Sequence, residues 1–466
     1  MLREKSLVVY ELNEVPEKVL EYYVATHPES ALAQIVAHGT FVKTYATDSG
    51  VLSPWITWPT VHRGVTNERH CIANFGQDLS EVDEEYPPIW NLLSRQGVRT
   101  GVFGSLHSYP LPKDLSGYTF CVPDTFAAGP ECFPTDLQVF QEFNLRMVDA
   151  SARNVAPGLP MGPAFELLRA APGLGLRGAT MLRLAKQLSY ERVNPVRKVR
   201  RRTSQVQLAF DFYHKQLDET KPNYSSFFTN HVASSMHRYW PATFPADFED
   251  PKLTEEWRRT YAQEIDYTMK EADRQIGRLV SFVRRHSGFV LMVVTSMGQE
   301  AVDASEVITT QLYITDLSRF LGRLGVQANQ WSTRRAMLPR YVFRIDGEVS
   351  ERFRQNIAGL TVNGQPVPVT GHDNNVFVVK MGHINLVESQ IDVRLGDEHI
   401  NHRDMGLENV SIQDETGCYA YHIPQGIMLL YDPATERPSR TEMAMPTNEI
   451  APMILRNFDL PIPAYM

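Results

Sequence analysis

The chain opens on an unbroken apolar run, LVVY at 7–10, turns polar at ELNE (11–14), and continues into PEKVLEYYVATHP, whose apolar residues recur at helical spacing. A buried strand feeding a helix through a short polar turn is how a parallel α/β sheet begins. The theme returns in IWNLLSRQGVRTGVFGS: residues 89–96 read as a helix, Gly97 as its stop, and the following segment as the next strand. FVLMVV at 289–294 is the clearest buried strand, preceded by a long amphipathic helix and followed by the polar TSMGQE. YSSFFT reads as a strand running into a polar loop, NHVASSMHRYW, and CYAYHIPQGIMLLYDP as a return to the sheet.

Two stretches depart from this rhythm. Residues 136–220 are helical and amphipathic throughout, with a Pro/Gly-rich break at APGLPMGP, and read as a helical insertion or lid. Residues 310–415 alternate strand, helix and a hairpin turned at Asn363-Gly364, and read as a small α/β insertion. The core is then expected in three pieces, 1–135, 221–309 and 416–466.

At 466 residues the chain can bury a large core without staples. Its four cysteines show no CxxC spacing, which fits a reducing compartment. No apolar run reaches membrane-spanning length. The expected location is therefore the cytoplasm. A net charge of −8 gives no general attraction to nucleic acid or membrane, and neither is an expected partner. One basic run, NPVRKVRRRTSQ at 194–205, breaks the pattern and is read as the solvated face of a helix or loop, with a phosphate or polyanion contact as the alternative.

The polar residues that follow the strands carry the candidate chemistry, because open α/β sheets bind ligands beyond the carboxyl ends of their strands. They lie in ELNE, SPWITWPT, TNHVASSMHRYW, TSMGQE and YAYHIPQG. Thr57 stands out, framed by Trp55, Trp58 and Pro59. A hydroxyl in so stiff a setting is either a capping group in a core or a nucleophile at a site.

In this order the segments resemble the alkaline phosphatase superfamily, most of all its type I phosphodiesterase/nucleotide pyrophosphatase and phosphomutase-like branches. The resemblance runs over nearly the whole chain: LVVYELNEVPEKVLEYY for the opening strand, TWPTVHRG for the nucleophile segment, IWNLLSRQGVRTGVFG after it, HVASSMHRYW for the Asp-x-x-x-His loop, VVTSMGQEA for the strand ending in Ser-Asp-His-Gly, and YHIPQGIMLLYDP with the closing helix. It implies a three-layer αβα sandwich with a mostly parallel central sheet and inserted subdomains. It also implies a phospho- or sulfo-ester hydrolase or group transferase with Thr57 as nucleophile, acting on a cytoplasmic nucleotide, sugar or metabolite ester.

The metal ligands implied by the resemblance are incomplete. Asn13 stands where the first Asp is expected, Ala233 replaces the second, and Met297 and Gly298 replace an Asp-His pair, while His237 and His422 remain. The paired metals are therefore not expected. Two imidazoles hold one divalent metal such as zinc only if a third donor is near; His231, Glu300 and Glu14 are the candidates, and the metal-free state is the expected one, since two ligands rarely bind tightly. Catalysis is assigned to Thr57, His237 and His231, metal contact to His237 and His422, and substrate contact to Asn13, Glu14, Trp55, Trp58, His62, Arg63 and Arg238. The expected partner is a small-molecule phosphate or sulfate ester, with a homo-oligomer admitted. Two rival readings stand beside this: a scaffold or ligand-binding protein that kept the fold and lost the chemistry, and metal-free acid–base catalysis by His231 and His237.

Overall fold

The computed structural model describes residues 4–75, 77–149, 161–249, 253–302, 307–334, 336, 338–372, 375–412, 416–435 and 438–466. The chain divides into two units, one made of Met1–Leu145, Pro160–Ser305 and Cys418–Met466, the other of Arg146–Leu159 and Glu306–Gly417.

The first unit is a three-layer αβα sandwich. Its sheet contains β1 (Ser6–Leu12), β2 (Thr40–Tyr45), β3 (Thr100–Phe103), β4 (Tyr118–Val122), β5 (Tyr224–Thr229) and β6 (Phe289–Val294), with the strands Gln425–Tyr431 and Ser439–Pro446. From one edge the order is Ser439–Pro446, β2, Gln425–Tyr431, β6, β1, β5, β3, β4. Only Gln425–Tyr431 runs against its neighbours; the other pairings are parallel. The apolar runs recognised in the sequence, β1 and β6, lie side by side at the centre, as continuous hydrophobic strands must when both faces are covered.

Strand alternation sorts the two faces. Leu7 and Val9 join Trp58, Trp90 and Ile454 in one core, against the helices Pro54–Arg63, Ile89–Arg95 and Ile450–Asn457. Tyr10 points the other way, and its hydroxyl donates to Gln275 Oε1 at 2.8 Å on the long helix Glu264–Arg285.

One local expectation changes. HVASSMHRYW is not a polar loop: it forms the helix His231–Thr243 directly after β5. Val232, Ser235, Met236, Tyr239 and Trp240 recur at helical spacing and are buried, so packing outweighs the segment's polar composition. Among the described residues, no helix is long and apolar enough to cross a membrane.

The second unit has its own core, built around Phe320, Phe343, Phe353 and Phe377. A four-stranded sheet in the order Val369–His372, Val376–Lys380, Arg340–Ile345, Trp331–Arg334 accompanies the helix Gly347–Ala358. The hairpin turn falls at Asn363-Gly364, with φ of 49° and 76°, the left-handed pair that a tight two-residue hairpin requires.

Candidate functional site

Beyond β1 the chain splits its polar residues between two settings. Glu11 on β1 and Asn13 in the turn just past its end meet His62 and Trp58, four apart on the helix Pro54–Arg63. Trp58 Nε1 donates to Asn13 Oδ1 at 2.8 Å, and Asn13 Nδ2 donates to Glu14 Oε1 and Asn230 Oδ1, both at 2.7 Å. The amide is therefore a fully used hub, accepting once and donating twice. A carboxylate here would lose both donors and face two acceptors, which explains why Asn occupies a position where the resemblance implies Asp.

Glu14 has φ of 61°, a left-handed turn that interrupts the strand's alternation. Its buried Oε2 lies 3.1 Å from His237 Nε2 and 3.3 Å from His422 Nε2. The donor atoms of these three residues lie within 4.8 Å of one another. Gln299 Nε2 also donates to Oε2. Behind the imidazoles, His237 Nδ1 donates to Ala420 O at 2.6 Å and His422 Nδ1 to Leu52 O at 2.7 Å. Each Nδ1 therefore carries a hydrogen, and each Nε2 turns toward the carboxylate.

That arrangement has a strict requirement. Neutral imidazoles of this tautomer would aim two lone pairs at carboxylate lone pairs, so a cation must lie among the three groups, either protons or a metal. Without metal, protons must occupy the space between the imidazoles and the carboxylate. Burial opposes charge on His237, yet Glu14 raises its pKa to about 10. Burial likewise favours neutral Glu14, but His422 and His237 outweigh it and hold the carboxyl well below its usual range. A divalent ion satisfies all three donors at once, and an Nδ1–H bonded to a carbonyl is the usual support behind a metal-ligating histidine. The residues thus fit one metal. The expectation of a metal-free state rested on two donors; the turn at Glu14 supplies the third, and that ground falls away.

Among the described residues, the other positions for which the resemblance implies a role at a metal are engaged otherwise. Asn13 is spent as described. Thr57 is fully buried, with Oγ1 2.8 Å from Ser296 Oγ and 3.2 Å from Ser53 O. Met297 is buried and Gly298 lies in a strand paired with Ala420–Ile423.

The remaining predicted residues are placed elsewhere. His62 sits between Trp58 and Trp90 with Nε2 2.8 Å from Glu11 Oε1. Arg63 is buried and bonds Asp83 Oδ1 at 2.7 Å and Tyr86 O. His231 Nε2 donates to Thr268 O at 3.1 Å, and burial lowers its pKa to about 4. Six positions separate it from His237 on the same helix, and its ring packs toward Glu264–Arg285 rather than joining Glu14. Arg238 bonds Ser234 one turn back. Glu300 is exposed on the Gly298–Ala301 strand. Trp55 leans on Phe75 at 5.3 Å.

Residues not singled out from the sequence complete the site. Gln299 and Ser296 were inside the polar TSMGQE but carried no signal of their own. Cys418 Sγ lies 3.7 Å from His237 Nδ1. Tyr421, exposed, stacks on His422 at 4.4 Å, and His237 keeps 24% of its side-chain surface, so the cluster opens to solvent on this side. His107 serves the helix of Thr57. Pro59 has no N–H for the Trp55 carbonyl, and His107 Nε2 donates to it at 2.9 Å instead. Burial lowers the pKa of His107 to about 3, keeping it neutral for that task.

No family model and no curated protein matches the chain. Among solved structures it is similar to murine ectonucleotide pyrophosphatase/phosphodiesterase 5, in an inactive variant in complex with AMP, at 13% identity and a TM-score of 0.41, covering 99% of this chain and 96% of that one. A second structure of the murine protein gives 12% identity and 0.41 over the same shares. The human protein of the same name gives 11% identity and a TM-score of 0.37, again over 99% and 96%.

Proposed function

We propose that this chain is a phosphoester hydrolase or group transferase of the phosphodiesterase type, working at one divalent metal, zinc by donor set, held by Glu14, His237 and His422. The observation that carries the reading is the convergence of three donors whose imidazole tautomers are fixed from behind. Two histidines and one carboxylate leave coordination positions open, as catalytic zinc centres do. The six ordered segments that resemble type I phosphodiesterases support the phosphate- or sulfate-ester substrate class, with a nucleotide, sugar or other cytoplasmic metabolite as the ester.

A metal bound there supplies Lewis acidity toward the ester oxygen. The chain's own residues do the rest. Gln299 and Asn13 hold the two oxygens of Glu14, Leu52 and Ala420 hold the imidazoles, and Tyr421 borders the opening. Thr57 is the nucleophile in this reading. Its Oγ1 must leave Ser296 before it reaches substrate. The first turn of its helix adds little for an anion, since Pro54 has no N–H and Ile56 and Thr57 N–H are used by Ser53 O. With so few N–H groups at that turn, a metal held by Glu14, His237 and His422 would supply the stabilisation of developing charge.

One observation favours a second reading, a ligand-binding protein without turnover: the complete burial of Thr57 with both hydrogen bonds made. Zinc-loaded protein should be assayed against phosphate monoesters, phosphodiesters, nucleotide pyrophosphates and sulfate esters. Turnover is expected in wild type, with none in Glu14→Gln and a loss of about a hundredfold or more in Thr57→Val. Full turnover by Thr57→Val would remove Thr57 as nucleophile. No turnover by wild type in the presence of bound zinc would leave the binding reading.

A further inference from the structure

The helices Met161–Leu174 and Gly178–Val193 carry a surface unlike the rest of the molecule. Of the fourteen large hydrophobic side chains exposed among the described residues, eight fall between Phe165 and Val196. On the first helix Phe165, 70% exposed, and Leu168 are three apart and share a stripe with Pro172. On the second, Met181, Leu182, Leu188 and Val193 occupy the solvent side, Val193 at 84% exposure. The opposite side of this helix is anchored: Thr180 and Glu191 are buried, and Glu191 pairs with Arg201. The apolar face is therefore not a core face left open by a displaced helix.

The charge of the same segment is equally distinct. Residues 161–202 hold ten Lys and Arg against two Asp and Glu, in a chain whose net charge is −8. Arg197, Arg200 and Arg201 are tied to Glu264 and Glu191. Arg169, Arg177, Lys186, Arg192 and Lys198 are exposed, with Glu166 the one exposed acid in this stretch. Lys186 and Arg192 interleave with the apolar positions of the second helix.

We propose that this pair of helices is an interfacial docking surface for an anionic lipid bilayer. Exposed apolar side chains flanked by exposed cations, on helices too polar to span, match what lies in the headgroup boundary of such a membrane: the apolar atoms leave water and the cations meet lipid phosphates. Nucleic acid would use the charge but leave Phe165, Leu168 and Val193 in water. A second copy of the chain would bring like charges together. The basic run at 194–205, read from the sequence as a solvated face, becomes in part the structural tie that holds this surface in place. The inference reverses the expectation of no membrane partner and is independent of the proposed reaction.

The test is flotation of the full chain with vesicles of phosphatidylcholine alone and of phosphatidylcholine mixed with phosphatidylglycerol, at low and high salt. Binding to the mixed vesicles, weakened by salt, is expected, with at least tenfold weaker partition for the variant Phe165→Ser/Leu168→Ser/Leu182→Ser/Val193→Ser. The variant Arg169→Glu/Lys186→Glu/Arg192→Glu should lose binding to a similar degree. Both alter exposed positions and should melt like wild type. Absence of binding to the mixed vesicles, or equal binding by the serine variant, overturns the proposal. So does a wild-type dimer, measured by light scattering, that the serine variant dissociates while vesicles are ignored.

Discussion

Two carboxylates three residues apart, Glu11 and Glu14, each meet histidine, and the outcomes differ. Glu11 faces one imidazole, His62, in the core between the sheet and the helix Pro54–Arg63. Among the described residues His62 Nδ1 makes no hydrogen bond, so the tautomer with its proton on Nε2 can donate to the carboxylate. Glu14 faces two imidazoles whose Nδ1 atoms are both committed to backbone carbonyls. There the Nε2 lone pairs cannot be relieved by choosing a tautomer, and a cation is needed. The comparison shows that a buried carboxylate near histidine is not by itself a site; what the far nitrogen of each ring is bonded to decides whether the pair closes on itself or recruits an ion.

The largest effect should come from Glu14→Gln. It removes the third donor and, in the metal-free protein, leaves the partly exposed His237 imidazolium without its carboxylate, costing about 3 kcal/mol, the low end for a broken ion pair. Elemental analysis should find no stoichiometric zinc, and denaturant titration should show the loss. Retention of zinc would break the distinction between the two pairs.

His62→Leu should destabilise by about 3 kcal/mol, since it strands Glu11 without its partner, yet leave the zinc content unchanged. Loss of zinc in this variant would mean that the two carboxylates act as one network.

Smaller, and specific to the metal-free state, is a pH dependence. His237 has a folded pKa of about 10, above the unfolded value of about 6.5. Its contribution is fully present below about pH 6.5 and declines as pH rises through about 10, on the order of 2 kcal/mol once its partial exposure is allowed for. Melting in chelator between these limits measures it, and the slope should vanish in Glu14→Gln. With zinc present the slope above about pH 6.5 should vanish, because neither the metal-bound nor the unfolded imidazole carries an extra proton there, and stability should instead fall as pH drops below about 6.5.

The smallest effect belongs to the support behind Glu14. Gln299→Leu removes the donor to Oε2 and should weaken zinc about tenfold, roughly 1.4 kcal/mol, with the fold intact. Competition with a chromogenic chelator reads this directly; unchanged affinity would show that Glu14 is held by Asn13 and the turn alone.

The sequence by itself determined the central strands, because an apolar run such as LVVY or FVLMVV has no stable place except between two covering layers. It likewise determined the Asn363-Gly364 turn, whose φ values few other pairs adopt, and it offered His237 and His422 as donors. The tertiary structure decided the rest. His231 and His237 share one helix, yet only the packing of that helix against Glu264–Arg285 sends the first toward Thr268 and leaves the second near Glu14. Arg63 and His62 looked like site residues and are buried partners of Asp83 and Glu11. Glu14 was one candidate of three for the third ligand, and the choice depended on a left-handed turn and on contacts reaching 237 and 422, more than two hundred positions away along the chain. A sequence lists donor atoms. Whether their lone pairs converge is fixed by distances and by the carbonyl behind each ring, and both exist only once the chain has folded.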